Sequence, residues 1–192
     1  MERNSPVSQG YKLESQIREA YGRIVYTFTC HNKIVNRLLT KNEHIKIWQI
    51  VLSALTTGSF FTTVLTNEKI TGLIGAFISI VLLILNAYTK NFDLVETAQS
   101  HQNAADALWK IREEYISLLT DFDVIEASDL MAKRDELQNR TAEIYAQSPR
   151  TDYKSYKAAQ KALKTDEEQT FSEHEIDVML PNSVRRINRE IN

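Results

Sequence analysis

The chain has 192 residues, a formal net charge of −2, five glycines and three prolines. That balance excludes the bulk basic character of a nucleic-acid-binding domain, and the scarcity of turn residues favours helix over sheet. A single cysteine, Cys30, excludes an intramolecular disulfide or a cysteine-based zinc site within one chain, and it fits a reducing compartment.

Residues 1–46 hold eight Lys/Arg against four Asp/Glu, whereas residues 90–192 hold fourteen against twenty. The basic first part and the acidic last part can therefore pair with each other or attract different partners. Residues 1–20 carry Glu2, Arg3, Lys12, Glu14, Arg18 and Glu19 without an apolar core, so no N-terminal signal peptide is expected. From residue 11 to 42, Leu13, Ile17, Tyr21, Ile24, Phe28, His31, Val35 and Leu38 recur at three-to-four spacing without an intervening proline. This predicts an amphipathic helix that runs into the following segment with little or no break.

No charged side chain lies between Lys46 and Glu68 or between Lys69 and Lys90. Residues 47–65 and 70–88 each approach the roughly 20 residues that cross about 30 Å of hydrocarbon as a helix. Only Thr66, Asn67, Glu68 and Lys69 separate them, so they form an antiparallel hairpin. The competing reading is a soluble protein with two buried core helices; the run Leu73–Leu85, apolar around almost every face, argues against it. Trp48 and Tyr88 fall at the same end of the hairpin, where aromatic residues mark the membrane interface. Lys33, Arg37, Lys41, Lys46 and Lys90 flank that end, against Lys69 alone in the turn. Both termini are therefore expected on the cytoplasmic side, with the turn outside.

Beyond the hairpin, Leu94, Ala98, Ala105, Leu108, Ile111, Tyr115, Leu118 and Phe122 predict a helix that packs antiparallel on the first one. A third soluble helix starts near Ser128, carries Leu130, Leu137, Ile144 and Tyr145, and ends before Pro149. A fourth, Asp152–Lys164, rich in Lys and Ala, reads as mostly solvated. Ser172 with Glu175 forms a capping-box pattern for a short helix through Leu180, and the basic tail at 182–192 is a short helix or an arm. The expected class is all-α: a two-transmembrane hairpin with a cytoplasmic bundle built from the flanking helices. Its three regions are 1–46, 47–89 and 90–192.

Candidate chemistry is sparse. Neighbouring Glu173 and Glu175 point away from His174 on a helix, which makes a poor metal site. His101 with Gln102 or Asp106 forms a polar cluster that reads first as a helix–helix contact, and Cys30 reads as a buried helix position. No phosphate-binding, dinucleotide-binding or nucleophile-elbow motif occurs, so no catalytic, metal-binding or cofactor residue is assigned and no cofactor is expected. The hairpin is more informative. Ser53, Thr56, Phe60 and Thr63 share one face of the first span and are candidate pore-lining residues. On the second span Gly72, Gly75, Ser79 and Asn86 form a candidate helix-packing face, since small residues let helices approach closely in lipid. The hydroxyls of the first span either line a wet path in an oligomer or bond back to carbonyls of their own helix.

The order of parts, and above all the stretch NAYTKNFDLVETAQSHQNAADALWKIREEYISLLTDF at 86–122, resembles the SLATT family of bacterial two-transmembrane effectors associated with SMODS nucleotidyltransferases and SLOG sensors. FSEHEIDVMLPNSVRR at 171–186 resembles the C-terminal part of one subgroup. The resemblance implies a non-enzymatic membrane effector of an antiphage defence system. It would oligomerise in the bacterial inner membrane and permeabilise it when a separately encoded sensor is activated. That sensor would be a cyclic-nucleotide synthase or a defence reverse transcriptase with its RNA. The competing functions are a non-conducting membrane anchor or scaffold that recruits a cytoplasmic partner, and an enzyme built on the His101 region.

Overall fold

The computed structural model describes residues 6–66, 69–181 and 184–185. It is all-helical over that range. Helix α1 spans Pro6–Thr66, α2 Lys69–Asn91, α3 Leu94–Thr120, α4 Ala127–Gln147, α5 Tyr153–Lys164 and α6 Glu173–Met179. The amphipathic segment and the first span are thus one helix of 61 residues, about 90 Å long at ~1.5 Å per residue.

The apolar runs form an antiparallel pair, with Gln49 opposite Asn86 at one end and Thr63 opposite Gly72 near the other. Their most apolar 18-residue windows are 0% and 6% buried. Core helices of a water-soluble protein would be largely covered. Here Ile50, Leu65, Leu73, Phe77 and Leu83 all face outward, a surface that water penalises at ~25 cal/mol per Å² and lipid accepts. The chain is membrane-associated through these two helices. The tip of the hairpin, Asn67–Glu68, lies outside the described residues.

Phe92 and Asp93 end the second span and start α3. Asp93 caps the new helix by accepting from the backbone N–H groups of Val95 at 3.0 Å and Glu96 at 2.8 Å, which satisfies donors that no helical carbonyl can reach. Phe92 stacks on Tyr88 with ring centroids 5.0 Å apart. From there α3 runs back along α1, and the predicted stripes meet: Ile17 and Ile24 pack with Leu108, Ile111 and Tyr115 in one core. Leu130 and Leu137 of α4 close it from the side. Arg140 holds α4 on α3 through two hydrogen bonds of 2.6 Å to the Glu114 carboxylate.

The charge asymmetry of the sequence resolves into contacts across the bundle. Lys33 pairs with Glu168 at 2.6 Å and Arg37 with Asp152 at 2.5 Å, so the basic face of α1 holds the acidic C-terminal region. The α5 helix is mostly solvated, as expected, with seven of its twelve residues exposed, but Ser155, Ala159 and Ala162, at 0%, 0% and 1% exposure, form a small-residue face against α1 that the pattern did not single out. Side chains this small let two helices approach closely, and a hydrophobicity pattern underweights them. The capping box of α6 forms as the sequence predicts, between Ser172 and Glu175. Of the basic tail, only Val184 and Arg185 lie within the described residues; Arg185 donates to the carbonyls of Leu180 and Val178.

Leu137 is 1% exposed at the only point where the middle of α4 enters the core. Leu137→Ala should cost the bundle about 3 kcal/mol, read as a lower denaturation midpoint in detergent. The two spans, which share no contact with Leu137, should keep their helicity.

Candidate functional site

The hairpin seam is set by glycine. A Cβ on Gly75 would lie 2.8 Å from Ser59 Cβ, and one on Gly72 would lie 3.3 Å from Thr63 Cγ2. The first is a collision and the second a tight contact, so these glycines set how closely the two backbones approach, as small residues do in lipid. Around them is a cavity of about 190 Å³, lined by Thr56, Ser59 and Thr63 from α1 and by Gly72, Gly75 and Ser79 from α2. The hydroxyls do not cross it. Thr56 donates to Leu52 O at 2.9 Å, Ser59 to Leu55 O at 2.9 Å, Thr63 to Ser59 O at 2.8 Å and Ser79 to Gly75 O at 3.0 Å. Within one protomer, the hydroxyls of Thr56, Thr57, Ser59, Thr62 and Thr63 are bonded back to their own helix.

The four candidate pore-lining residues are therefore divided. Thr56 and Thr63 face the seam. Ser53 lies in a groove of about 860 Å³ that opens at Lys46 and also contains Gln49, Thr57 and Asn86. Phe60 borders the seam but is 65% exposed, packed edge-on against Phe61. Of the four candidate packing residues, Gly72, Gly75 and Ser79 contact the first span of the same chain. Asn86 accepts a 2.9 Å hydrogen bond from the Gln49 amide, which also reaches Thr89 at 3.3 Å. Gln49 is the partner that sequence periodicity did not single out. Just outside the spans, Lys41 donates to the Tyr88 hydroxyl at 2.8 Å and lies over its ring, tying the aromatic interface residue to the basic flank.

A second polar joint lies within the bundle. His31 of α1 and His101 of α3 meet with their Nδ1 atoms 2.8 Å apart, at 2% and 5% exposure. One ring must donate and the other accept, so the pair holds together only while at least one ring is neutral. Burial first, and the neighbouring His101 second, hold His31 down at about 4. Burial and then Arg37 lower His101, against an opposing effect of Asp152. His101 thus pairs with a residue 70 positions away, while Gln102 bonds Asp106 along the helix surface at 2.7 Å. Cys30 is buried beside this joint, and burial pushes its thiol up. Among the described residues, no group of three or more His, Cys, Asp or Glu is placed to hold a metal.

Two outcomes follow from this geometry. Gly75→Ala should separate the spans and cost about 2 kcal/mol, with Gly72→Ala milder. Gly58→Ala, with nothing within 4 Å of its Cβ, should be neutral or stabilising; melting in detergent ranks the three. For the histidines, His31 binds its proton less readily when folded (about 4) than when unfolded (about 6.5). The resulting stability is complete above pH 6.5 and is lost as pH falls toward 4, by up to about 3 kcal/mol. His31→Leu should flatten that part of the stability profile.

The comparisons with known proteins agree with the two-span architecture. The family described as SMODS and SLOG-associating 2TM effector domain family 4 matches residues 13–175. No curated protein and no solved structure matches the chain. The match extends from the first buried turn of α1 through the hairpin to the capping box of α6. The chain belongs to the SLATT family of two-transmembrane effector domains.

Proposed function

We propose that this protein is a non-enzymatic effector that permeabilises the bacterial inner membrane when a separately encoded sensor acts on its cytoplasmic bundle. The reading rests on one observation: both spans present wide apolar faces outward while a hydroxyl-rich seam lies between them. Two helices are too few to surround a water-filled path, so conduction requires several copies. In the resting protomer the seam hydroxyls of Thr56, Ser59, Thr63 and Ser79 are bonded to their own helices. That leaves the seam dry and stable and gives every hydroxyl a spare lone pair for water once hairpins rearrange. Ser53, Thr56 and Thr63 would then line the path, with Phe60 as an apolar constriction that closes it by dewetting. Both termini lie on the cytoplasmic side in this arrangement, beside the Lys/Arg-rich end of the spans.

The back-bonded hydroxyls also favour a second reading, a non-conducting anchor whose bundle recruits a cytoplasmic partner. In that case the hydroxyls only satisfy local carbonyls.

Membrane-potential dyes separate the two readings. Thr56→Val and Thr63→Val together keep the side-chain shape and remove the hydroxyls, and should abolish depolarisation in triggered cells while leaving insertion intact. Phe60→Ser should depolarise cells without a trigger. Full depolarisation by the double valine variant would exclude the polar face as the conduction path, and indifference to both changes would support the anchor. Reporter fusions at residue 192 and within 66–69 check the topology; a periplasmic C-terminus would overturn the hairpin orientation.

A further inference from the structure

The bundle carries a cleft of about 870 Å³ that no described residue fills. One wall is a single face of α1 from Glu19 to His31, about 18 Å long at ~1.5 Å per residue. The other is the end of α4, the connection Ser148–Thr151 and Tyr156 of α5. Three features of this cleft have no explanation among the described residues.

The first is Gly22, which faces the cleft in the middle of α1. Glycine is the least favourable residue at a helix interior apart from proline. At Gly72 and Gly75 a neighbouring helix accounts for it. At Gly22, as at Gly10 and Gly58, an added Cβ would meet nothing within 4 Å, so no described group needs the space; of the three, only Gly22 lies in the cleft. The second is Arg150. Its guanidinium lines the cleft and makes no hydrogen bond or ion pair among the described residues, whereas Arg23 opposite is already paired with Glu19 at 2.6 Å. The cleft therefore carries one uncompensated positive charge. The third is the connection itself. Arg150 and Thr151 lie outside any helix, are exposed, and make no backbone hydrogen bond among the described residues. They offer donors and acceptors to an added extended segment.

We propose that this cleft docks an acidic peptide segment of a partner protein. About five residues in extended form match its length at ~3.3 Å per residue. The segment runs along Arg150–Thr151, places an apolar side chain over Gly22 against Tyr26 and Tyr156, and sets a carboxylate on Arg150. Tyr26 and Tyr156 stack across the two walls with centroids 5.8 Å apart, which closes the cleft at that end with an aromatic surface. The proposal deepens the effector reading by naming how a sensor would engage the bundle, and it rests on that reading only for the partner's identity.

The test is a random octapeptide display library selected against the full chain in detergent. Acidic sequences with an apolar residue should be enriched. Arg150→Glu should weaken the selected peptides by about tenfold or more, and Gly22→Leu should abolish binding. Gly22→Ala should raise the melting temperature by about 3 °C, showing that the position tolerates a side chain. Arg150→Glu changes an exposed side chain without a partner among the described residues, and an unchanged melting temperature separates its loss of binding from unfolding. Enrichment without acidic bias, binding indifferent to both substitutions, or no enrichment overturns the proposal. Displacement of the peptides by ATP through the same two residues also overturns it, and marks a small-anion site. None of these readouts uses membrane permeability, so the peptide site and the effector reading fail independently.

Discussion

A helix that passes from water into lipid must keep every backbone hydrogen bond within itself, because the hydrocarbon offers no replacement. In this chain the constraint falls on α1, which carries the soluble bundle's central face and the first span without a break from Pro6 to Thr66. The other main elements are placed against it. α2 lies along its lipid half, α3 along its soluble half, and α5 fills the angle on its basic side. The seam glycines, the His31–His101 joint and the Lys33 and Arg37 ion pairs are successive fastenings on the same rod.

Those fastenings differ in character along the rod. At the far end of the bundle the contacts are apolar and closely packed, from Leu13 to Ile24. Toward the membrane, buried Ile34, Val35, Leu94 and Ala98 are joined by polar contacts: Thr29 with Gln169 at 2.8 Å, the histidine pair, Arg37 with Asp152, and Gln49 with Asn86. Apolar contacts lose little from small changes of angle, whereas hydrogen bonds weaken steeply with misalignment. The membrane-proximal half is thus held by oriented polar contacts as well as by apolar ones. It also contains the groups whose charge state alters the contact, since a second proton on the histidine pair removes the acceptor on which that contact depends.

The hairpin, the α1–α3 pairing and the caps were legible in the sequence because each rests on a local pattern. Two uncharged runs separated by four residues, two stripes of period 3.6, and Ser172 with Glu175 require no knowledge of the rest of the chain. The site was legible in its parts only. Gly72, Gly75 and Ser79 read as a packing face and meet the first span. Periodicity could not decide whether the hydroxyls of Thr56 and Thr63 turn toward that seam or toward another copy. The packed face of α5 was missed because Ser155, Ala159 and Ala162 bury little area each, and their value lies in letting backbones come close. The His31–His101 pair was invisible for another reason: a contact between residues 70 positions apart leaves no trace in spacing. His101 was instead matched with Gln102 and Asp106, which turn out to bond each other.

The cleft and the seam share one helix, and that bears on how a signal could travel between them. Gly22 and Ser59 are 37 residues apart on α1, about 55 Å at ~1.5 Å per residue. A peptide docked at Gly22 has no direct contact with the spans. Coupling therefore needs an element that moves as a unit with two discrete positions. α1 qualifies as the unit, since no break interrupts it. The polar contacts between cleft and membrane qualify as the latch, because shifting or turning α1 against α3 and α5 breaks the histidine pair and the Arg37–Asp152 bridge together. The seam adds the last requirement. Its closeness depends on Gly75 facing Ser59, and a rotation that brings any larger α2 side chain against Ser59 forces the spans apart. On the proposed effector reading, a docked peptide that changed only the angle of α1 would open the seam, with no new bond needed inside the membrane.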